Sequence, residues 1–256
     1  LGILPFFHSF GYMLLWFYLR HNTGVVFHPS PLDVSAIGEL CSRYRISLLV
    51  ATPTFLQLYQ RRCTPEQFST LRVIITGAEK LPLRLMQSFQ ERFGVTPVEG
   101  YGVTECAPVI AANCPDFRAS GFFQVASRRG TVGQPLPGVS VRIVDPDSYE
   151  ILAPGAPGML LVKGPNLMNG YLGRKDLTDK AMKDGWYITG DIATLDEDGF
   201  LSITDRLSRF SKIGGEMVPH GRVEEALQQA AGGDMQVFAV TGIPDDKKGE
   251  QLAVLH

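Results

Sequence analysis

The chain has 256 residues, enough for one large domain or two ordinary ones with a substantial core. It is 45% hydrophobic and 20% charged with a formal net charge of -2, which argues against a nucleic-acid partner, since a phosphate-backbone binder carries a basic patch or stripe. Its four cysteines, Cys41, Cys63, Cys106 and Cys114, make no CxxC pair and no metal-finger spacing, so a reduced, cytoplasmic setting is the simplest expectation.

The first twenty residues, LGILPFFHSFGYMLLWFYLR, are apolar until Arg20, and a membrane span needs about 20 such residues. Pro5, His8, Ser9 and Gly11 interrupt the run and no basic residues precede it, as a signal peptide requires. The pattern therefore predicts a buried helix from about Gly11 to Arg20. A start inside a pattern, without Met, points to a piece of a longer chain. GVVFHP (24–29), SLLVAT (47–52) and RVIITG (72–77) are short β-branched runs of the kind buried strands use. DVSAIGELCSRY (33–44), PTFLQLYQRR (53–62) and LPLRLMQSFQERFG (81–94) have helical spacing, the last with Pro82 for its first turn and Gly94 for its C-cap. Alternating strands and helices predict a parallel α/β sheet over 1–129. In such sheets ligands gather at the carboxyl ends of strands, where TGAEKLP (76–82) and EGYGVTE (99–105) are expected as loops. From Gly130 to Asp205 short β-runs broken by Pro and Gly predict a small antiparallel sheet or barrel, with a strand pair turning at Asp198-Gly199. Residues 206–256 read as a glycine-bearing loop, a helix and two strands, too little for a complete core.

Five stretches could carry chemistry, each with a plainer reading beside it. TGAEKLP brings backbone close to a flat ligand, or is an ordinary strand-to-helix turn. In YGVTE, Tyr101 can stack on a planar base, Gly102 removes an obstructing side chain, and the Thr104 hydroxyl can bond a phosphate oxygen. Glu105, acceptor-only when ionised, suits a hard Mg²⁺. The plain alternative is a solvated loop. Asp191 in GWYITGDIA could take two hydrogen bonds from vicinal ribose hydroxyls, or cap a turn beside Gly190. In TDRLSRFSKIGGEMV, Arg206 offers a fork of donors, Lys212 a mobile charge, and Gly214-Gly215 close approach, or all are surface charge at a boundary. His8 in PFFHSFG is functional or a satisfied core histidine.

In this order, PFFHSFG, TGAEKLP, EGYGVTE, GPNLMNGYL, GWYITGD and DRLSRFSKIGGEMV resemble the acyl-adenylate-forming, AMP-binding superfamily across essentially the whole chain. The resemblance implies that Gly77, Ala78 and Glu79 border adenine and Tyr101, beside Gly102, stacks on it. It puts Thr104 on the α-phosphate, Glu105 on Mg²⁺, Asp191 on the ribose hydroxyls and Arg206 on ribose or phosphate. His8 would lie near the acyl carboxylate, Gly215 along the pantetheine channel, and Lys212 among the catalytic groups. EGYGVTECAPV, KGPNLMNGYL and RFSKIGGEMV are similar more narrowly to the synthetase half of the bifunctional acyl-(acyl-carrier-protein) synthetase/2-acylglycerophosphoethanolamine acyltransferase family. That likeness implies a fatty acid and ATP as substrates, acyl carrier protein (or else CoA) as thiol acceptor, lysophospholipid reacylation, and a place at the cytoplasmic face of the inner membrane. Alternatives are an ordinary fatty acyl-CoA synthetase and a non-catalytic nucleotide-binding descendant.

Three departures stand out. The superfamily's Ser/Thr/Gly-rich phosphate loop is expected upstream of PFFHSFG, and its C-terminal lysine beyond His256. Its usual hinge residue, Asp or Lys, is here Ser208. Without loop and lysine, the chain by itself is expected to turn over negligibly.

Overall fold

A computed structural model describes residues 1–213, 216–232, 237–245 and 248–256. The chain forms two compact units: residues 1–140, 163–179 and 199–201 in the first, and 141–162, 180–198 and 202–256 in the second.

The first unit begins with α1 (Ser9–Arg20) and α2 (Val34–Arg43), the latter capped by the Asp33 carboxylate on the Ala36 amide. Then come β1 (Leu48–Ala51), α3 (Pro53–Arg62), β2 (Val73–Thr76), α4 (Leu83–Phe93) and β3 (Pro97–Gly102). Strands β1, β2 and β3 pair in parallel, as the alternation with helices requires. Two more strands, β4 (Val109–Ala112) and β7 (Gln134–Pro135), extend the sheet antiparallel, giving the order β1-β2-β3-β4-β7. An exposed ribbon of β5 (Phe117–Ala119) and β6 (Phe122–Gln124) intervenes, and α5 (Lys175–Ala181) closes the unit. The core sits under the parallel strands: Ile37, Leu49, Leu56, Tyr59, Ile74 and Phe89 are fully buried, each large apolar side chain contributing about 1.5–3 kcal/mol.

Four expectations change here. The Pro82 φ and ψ of -62° and 131° are extended, so it caps α4 from outside, while Gly94 takes the left-handed C-cap as expected. GVVFHP forms no strand. Its residues make one isolated bridge, Gly2 with Phe27, because Pro29 and Pro31 end the segment before a ladder can form. Tyr101 and Gly102 lie within β3, so EGYGVTE begins inside the strand. Finally α1 is not a buried helix: only Gly11, Leu14 and Tyr18 of it are buried, with Phe10 and Met13 packed partly against the core, while Trp16 and Leu19 are 55% and 64% exposed. Periodicity finds a helix but does not say how much of it is covered. At 12 residues α1 is too short to span a bilayer, and among the described residues no helix is long and apolar enough to do so.

Glu99 on β3 is a partly buried carboxyl in this unit. Its Oε1 accepts the Leu81 amide at 2.8 Å, yet burial raises its pKa above the ordinary value of 4.5, outweighing that bond and nearby Lys80. The folded state thus holds the proton more tightly than the unfolded chain. Stability present at low pH is lost as pH climbs from the ordinary glutamate value through the raised one. Glu99→Gln removes this loss. The stability difference between variant and wild type should therefore shift in the variant's favour as pH rises above the ordinary glutamate value, whereas a pH-independent difference in denaturant midpoint would contradict it.

The second unit carries β8 (Ser140–Val144), β9 (Gly158–Lys163), β10 (Met182–Lys183), β11 (Trp186–Leu195) and β12 (Leu201–Arg206). The sheet runs β10-β11-β9-β8 with β12 also on β11, an open sheet among the described residues and not a closed barrel. Val144, Met159, Leu161 and Ile192 form its core. Beyond Arg206, a 3-10 turn at Leu207–Arg209 leads into β13 (Phe210–Ile213), β14 (Glu216–Pro219), α6 (His220–Ala231), β15 (Ala239–Asp245) and β16 (Gly249–Leu255). The stretch read as a loop is thus largely two strands, β13 pairing antiparallel with β14. Gly214 and Gly215 lie outside the described residues, so the expectation for Gly215 does too.

Candidate active site

The carboxyl end of β2 ends in buried Thr76, whose hydroxyl donates to the Val98 carbonyl at 3.1 Å. The turn after it is tight. A Cβ at Gly77 would lie 3.1 Å from ring carbons of Phe10 in α1. Ala78 adopts φ 69°, a left-handed conformation that costs a residue with a side chain of order 1 kcal/mol and tends to persist at functional sites. The Glu79 carboxylate turns to the start of α3, accepting the Thr54 amide at 3.1 Å and the Thr54 hydroxyl at 2.6 Å. A negative group at a helix N-terminus is favoured by the free amides and dipole there. Glu79 therefore has a structural task that the sequence did not reveal.

The second segment runs from β3 through a 3-10 turn, Thr104–Cys106, to β4. Gly102 is there for packing as much as for access, because a Cβ would sit 2.1 Å from the Pro108 carbonyl oxygen. Ala107, φ 58°, closes the turn in a left-handed conformation. Exposed Thr104 places its hydroxyl 3.3 Å from that of Ser9 at the start of α1. His8, one residue earlier, is an exposed N-cap whose Nδ1 accepts the Phe10 amide at 3.2 Å, and is not a core histidine. PFFHSFG and YGVTE, about a hundred positions apart, thus meet.

Glu105 Oε1 accepts the Tyr171 phenol at 2.7 Å, and its backbone carbonyl accepts the Met168 amide at 2.8 Å. Among the described residues no hydrogen bond engages Oε2. A carboxylate with one oxygen anchored and the other open, beside two hydroxyls, fits a hard cation that keeps water and phosphate ligands. No group of three or more His, Cys, Asp or Glu stands ready to hold a metal among the described residues.

In the second unit TGD lies inside β11, within the expected strand pair, and forms a bulge rather than the capped turn of the plainer reading: the register with β9 shifts between Ile188 and Ile192. Gly190 takes φ 74° there. The Thr189 hydroxyl donates to the Leu160 carbonyl at 2.8 Å and accepts the Asp191 amide at 3.0 Å, filling the irregularity. Asp191 is buried, and its Oδ1 lies 3.7 Å from Nε of Arg206 at the end of β12. Arg206 is 77% exposed, so screening leaves the pair little stabilising energy and its value is positional. Past it, Ser208 is exposed, while Arg209 grips buried Glu224 through two 2.7 Å bonds. Lys212 is exposed on β13, its amide held by Glu250 at 2.6 Å.

The structure therefore joins His8, Thr104 and Glu105 in one unit and Asp191 with Arg206 in the other. Ser9, Thr54, Tyr171 and Thr189 were missed as individual residues, although PFFHSFG, GPNLMNGYL and GWYITGD, which contain Ser9, Tyr171 and Thr189, were already conspicuous as motifs.

A sheet with a parallel α/β core followed by smaller antiparallel sheets is the architecture of adenylate-forming enzymes. The AMP-binding enzyme family model matches residues 1–172, and the chain belongs to that family. It is 33% identical over 256 residues to a long-chain-fatty-acid--CoA ligase of Yersinia pestis, covering 98% of this chain and 43% of that protein. It is 34% identical over 250 residues to a feruloyl-CoA synthase of Amycolatopsis sp, covering 96% and 48%. The Bacillus subtilis O-succinylbenzoate coenzyme A synthetase, solved with ATP and magnesium ion, superposes with TM-score 0.81 at 27% identity over 99% of this chain and 50% of that one. The chain thus spans less than half the length of these curated relatives.

Proposed function

We propose that the full-length protein containing this chain activates a fatty acid with ATP to an acyl-adenylate and passes the acyl group to the thiol of CoA. The observation that carries this is the joining of Thr104, Glu105 and Ser9 at the carboxyl end of β3, in a chain related to a long-chain-fatty-acid--CoA ligase. A carboxylate is a poor acyl donor. Its attack on the α-phosphorus of ATP expels pyrophosphate and leaves an anhydride whose later leaving group is AMP. Charge then builds on the phosphate oxygens, and preorganised donors aimed at them lower the barrier.

In this reading Thr104 donates to the α-phosphate, and Tyr101 stacks on adenine beside the Gly77–Glu79 turn. Asp191 binds the ribose hydroxyls, and Arg206 contacts ribose or phosphate. Glu105 would hold Mg²⁺, which when bound neutralises phosphate charge. His8 stays assigned to the acyl carboxylate, Lys212 to the catalytic groups and Gly215 to the pantetheine arm, with rotation about Ser208 between half-reactions.

Transfer to acyl carrier protein, with lysophospholipid reacylation at the inner membrane, rests on the three short stretches quoted for it. Relatives that are CoA ligases favour CoA instead. The test is ATP–pyrophosphate exchange across carboxylic acids, followed by acceptor assays. Long-chain acids should drive exchange and CoA should accept the product. Transfer only to holo acyl carrier protein would restore the narrower reading, and absence of exchange with any acid would favour a non-catalytic descendant.

A further inference from the structure

No residue of GPNLMNGYL carries a step of the proposed activation, yet three of its residues grip the turn that carries Glu105. Asn166 Nδ2 donates to the carbonyls of Cys106 at 2.8 Å and Val109 at 3.0 Å, bridging both sides of Ala107-Pro108. The Met168 amide takes the Glu105 carbonyl at 2.8 Å. The Tyr171 hydroxyl takes Glu105 Oε1 at 2.7 Å. Tyr171 is itself fixed, because its amide donates to the Thr178 hydroxyl at 2.9 Å, which in turn donates to the Arg174 carbonyl at 3.1 Å. The backbone of the turn is thus held by Asn166 and Met168, and among the described residues the carboxylate's rotation is held by Tyr171.

We propose that Tyr171 is the positioning residue for the metal-binding carboxylate: its phenol binds one oxygen of Glu105 and so presents the other to the divalent cation accompanying ATP. This rests on the proposal that Glu105 is the metal ligand. A glutamate side chain has three rotatable bonds, and an unanchored carboxylate loses that freedom only when the metal arrives. A preformed hydrogen bond to the ligand removes much of this cost, which is why groups behind metal ligands carry measurable affinity. A phenol suits the task, since a donor without charge orients the carboxylate yet leaves its negative charge available to the metal.

The test measures binding, not turnover. Affinity of the full-length protein for a non-hydrolysable ATP analogue is determined by calorimetry with and without Mg²⁺, and the ratio of the two affinities reports the metal's contribution. Tyr171→Phe should lower that ratio about tenfold, the scale of losing a group behind a metal ligand, and leave metal-free affinity unchanged. Glu105→Ala serves as the control and should lower the ratio at least as far. If Glu105→Ala lowers the ratio and Tyr171→Phe does not, the positioning role is wrong and the metal assignment stands. If Tyr171→Phe weakens binding equally with and without Mg²⁺, the tyrosine merely supports the fold and the proposal falls. If Glu105→Ala leaves the ratio intact, the metal assignment itself fails and the role of Tyr171 with it.

Discussion

Asp191→Ala lowers ATP–pyrophosphate exchange by the full-length protein at least about a hundredfold, the scale of removing one preorganised electrostatic contact. Asp191 is buried at a bulge whose backbone is held by Thr189, so the point from which its carboxylate projects is fixed. A carboxylate that accepts two hydroxyl bonds in a site of low dielectric leaves both donors unpaired when it is lost. Asp191→Asn separates charge from shape: it keeps the volume and one acceptor oxygen and should fall between wild type and alanine. Normal exchange by the alanine variant, with an unchanged melting temperature, would remove Asp191 from the nucleotide site.

Glu105→Ala should cost a similar factor through a different route. Only one Glu105 oxygen is engaged among the described residues, so the lost interaction is chiefly the one made with the incoming ligand. The defect should appear in exchange at every Mg²⁺ concentration tested, and Glu105→Gln should be nearly as impaired, because an amide holds a hard cation far less well than a carboxylate. Full exchange by Glu105→Gln would assign metal binding to some other group.

The local parts of the fold were legible in the sequence. SLLVAT and RVIITG became β1 and β2 because short β-branched runs between helices have few other stable arrangements, and Asp33 and Gly94 mark helix ends by rules that need no tertiary context. What was hidden depends on partners far away in the chain. Whether GVVFHP pairs, and how much of α1 is covered, is decided by what lies opposite and not by spacing. The plainer reading of TGD is a capped turn, since Gly-Asp often makes one, yet the pairing of β11 with β9 on both sides makes it a bulge inside the strand. Candidate site residues were found individually, by side-chain chemistry. The groups that aim them escaped notice, because a tyrosine 66 positions from Glu105 carries no local mark of its contact.

The grip of Glu79 on Thr54 means that the turn after β2 has its carboxylate anchored on another element, α3. Positions 54 and 79 are expected to change together: a chain without the hydroxyl at the first has less reason to keep the acid at the second. The acid in TGAEKLP is therefore a record of how a neighbouring helix begins. Among relatives it should vary with the residue at position 54 and not with the acid each enzyme activates.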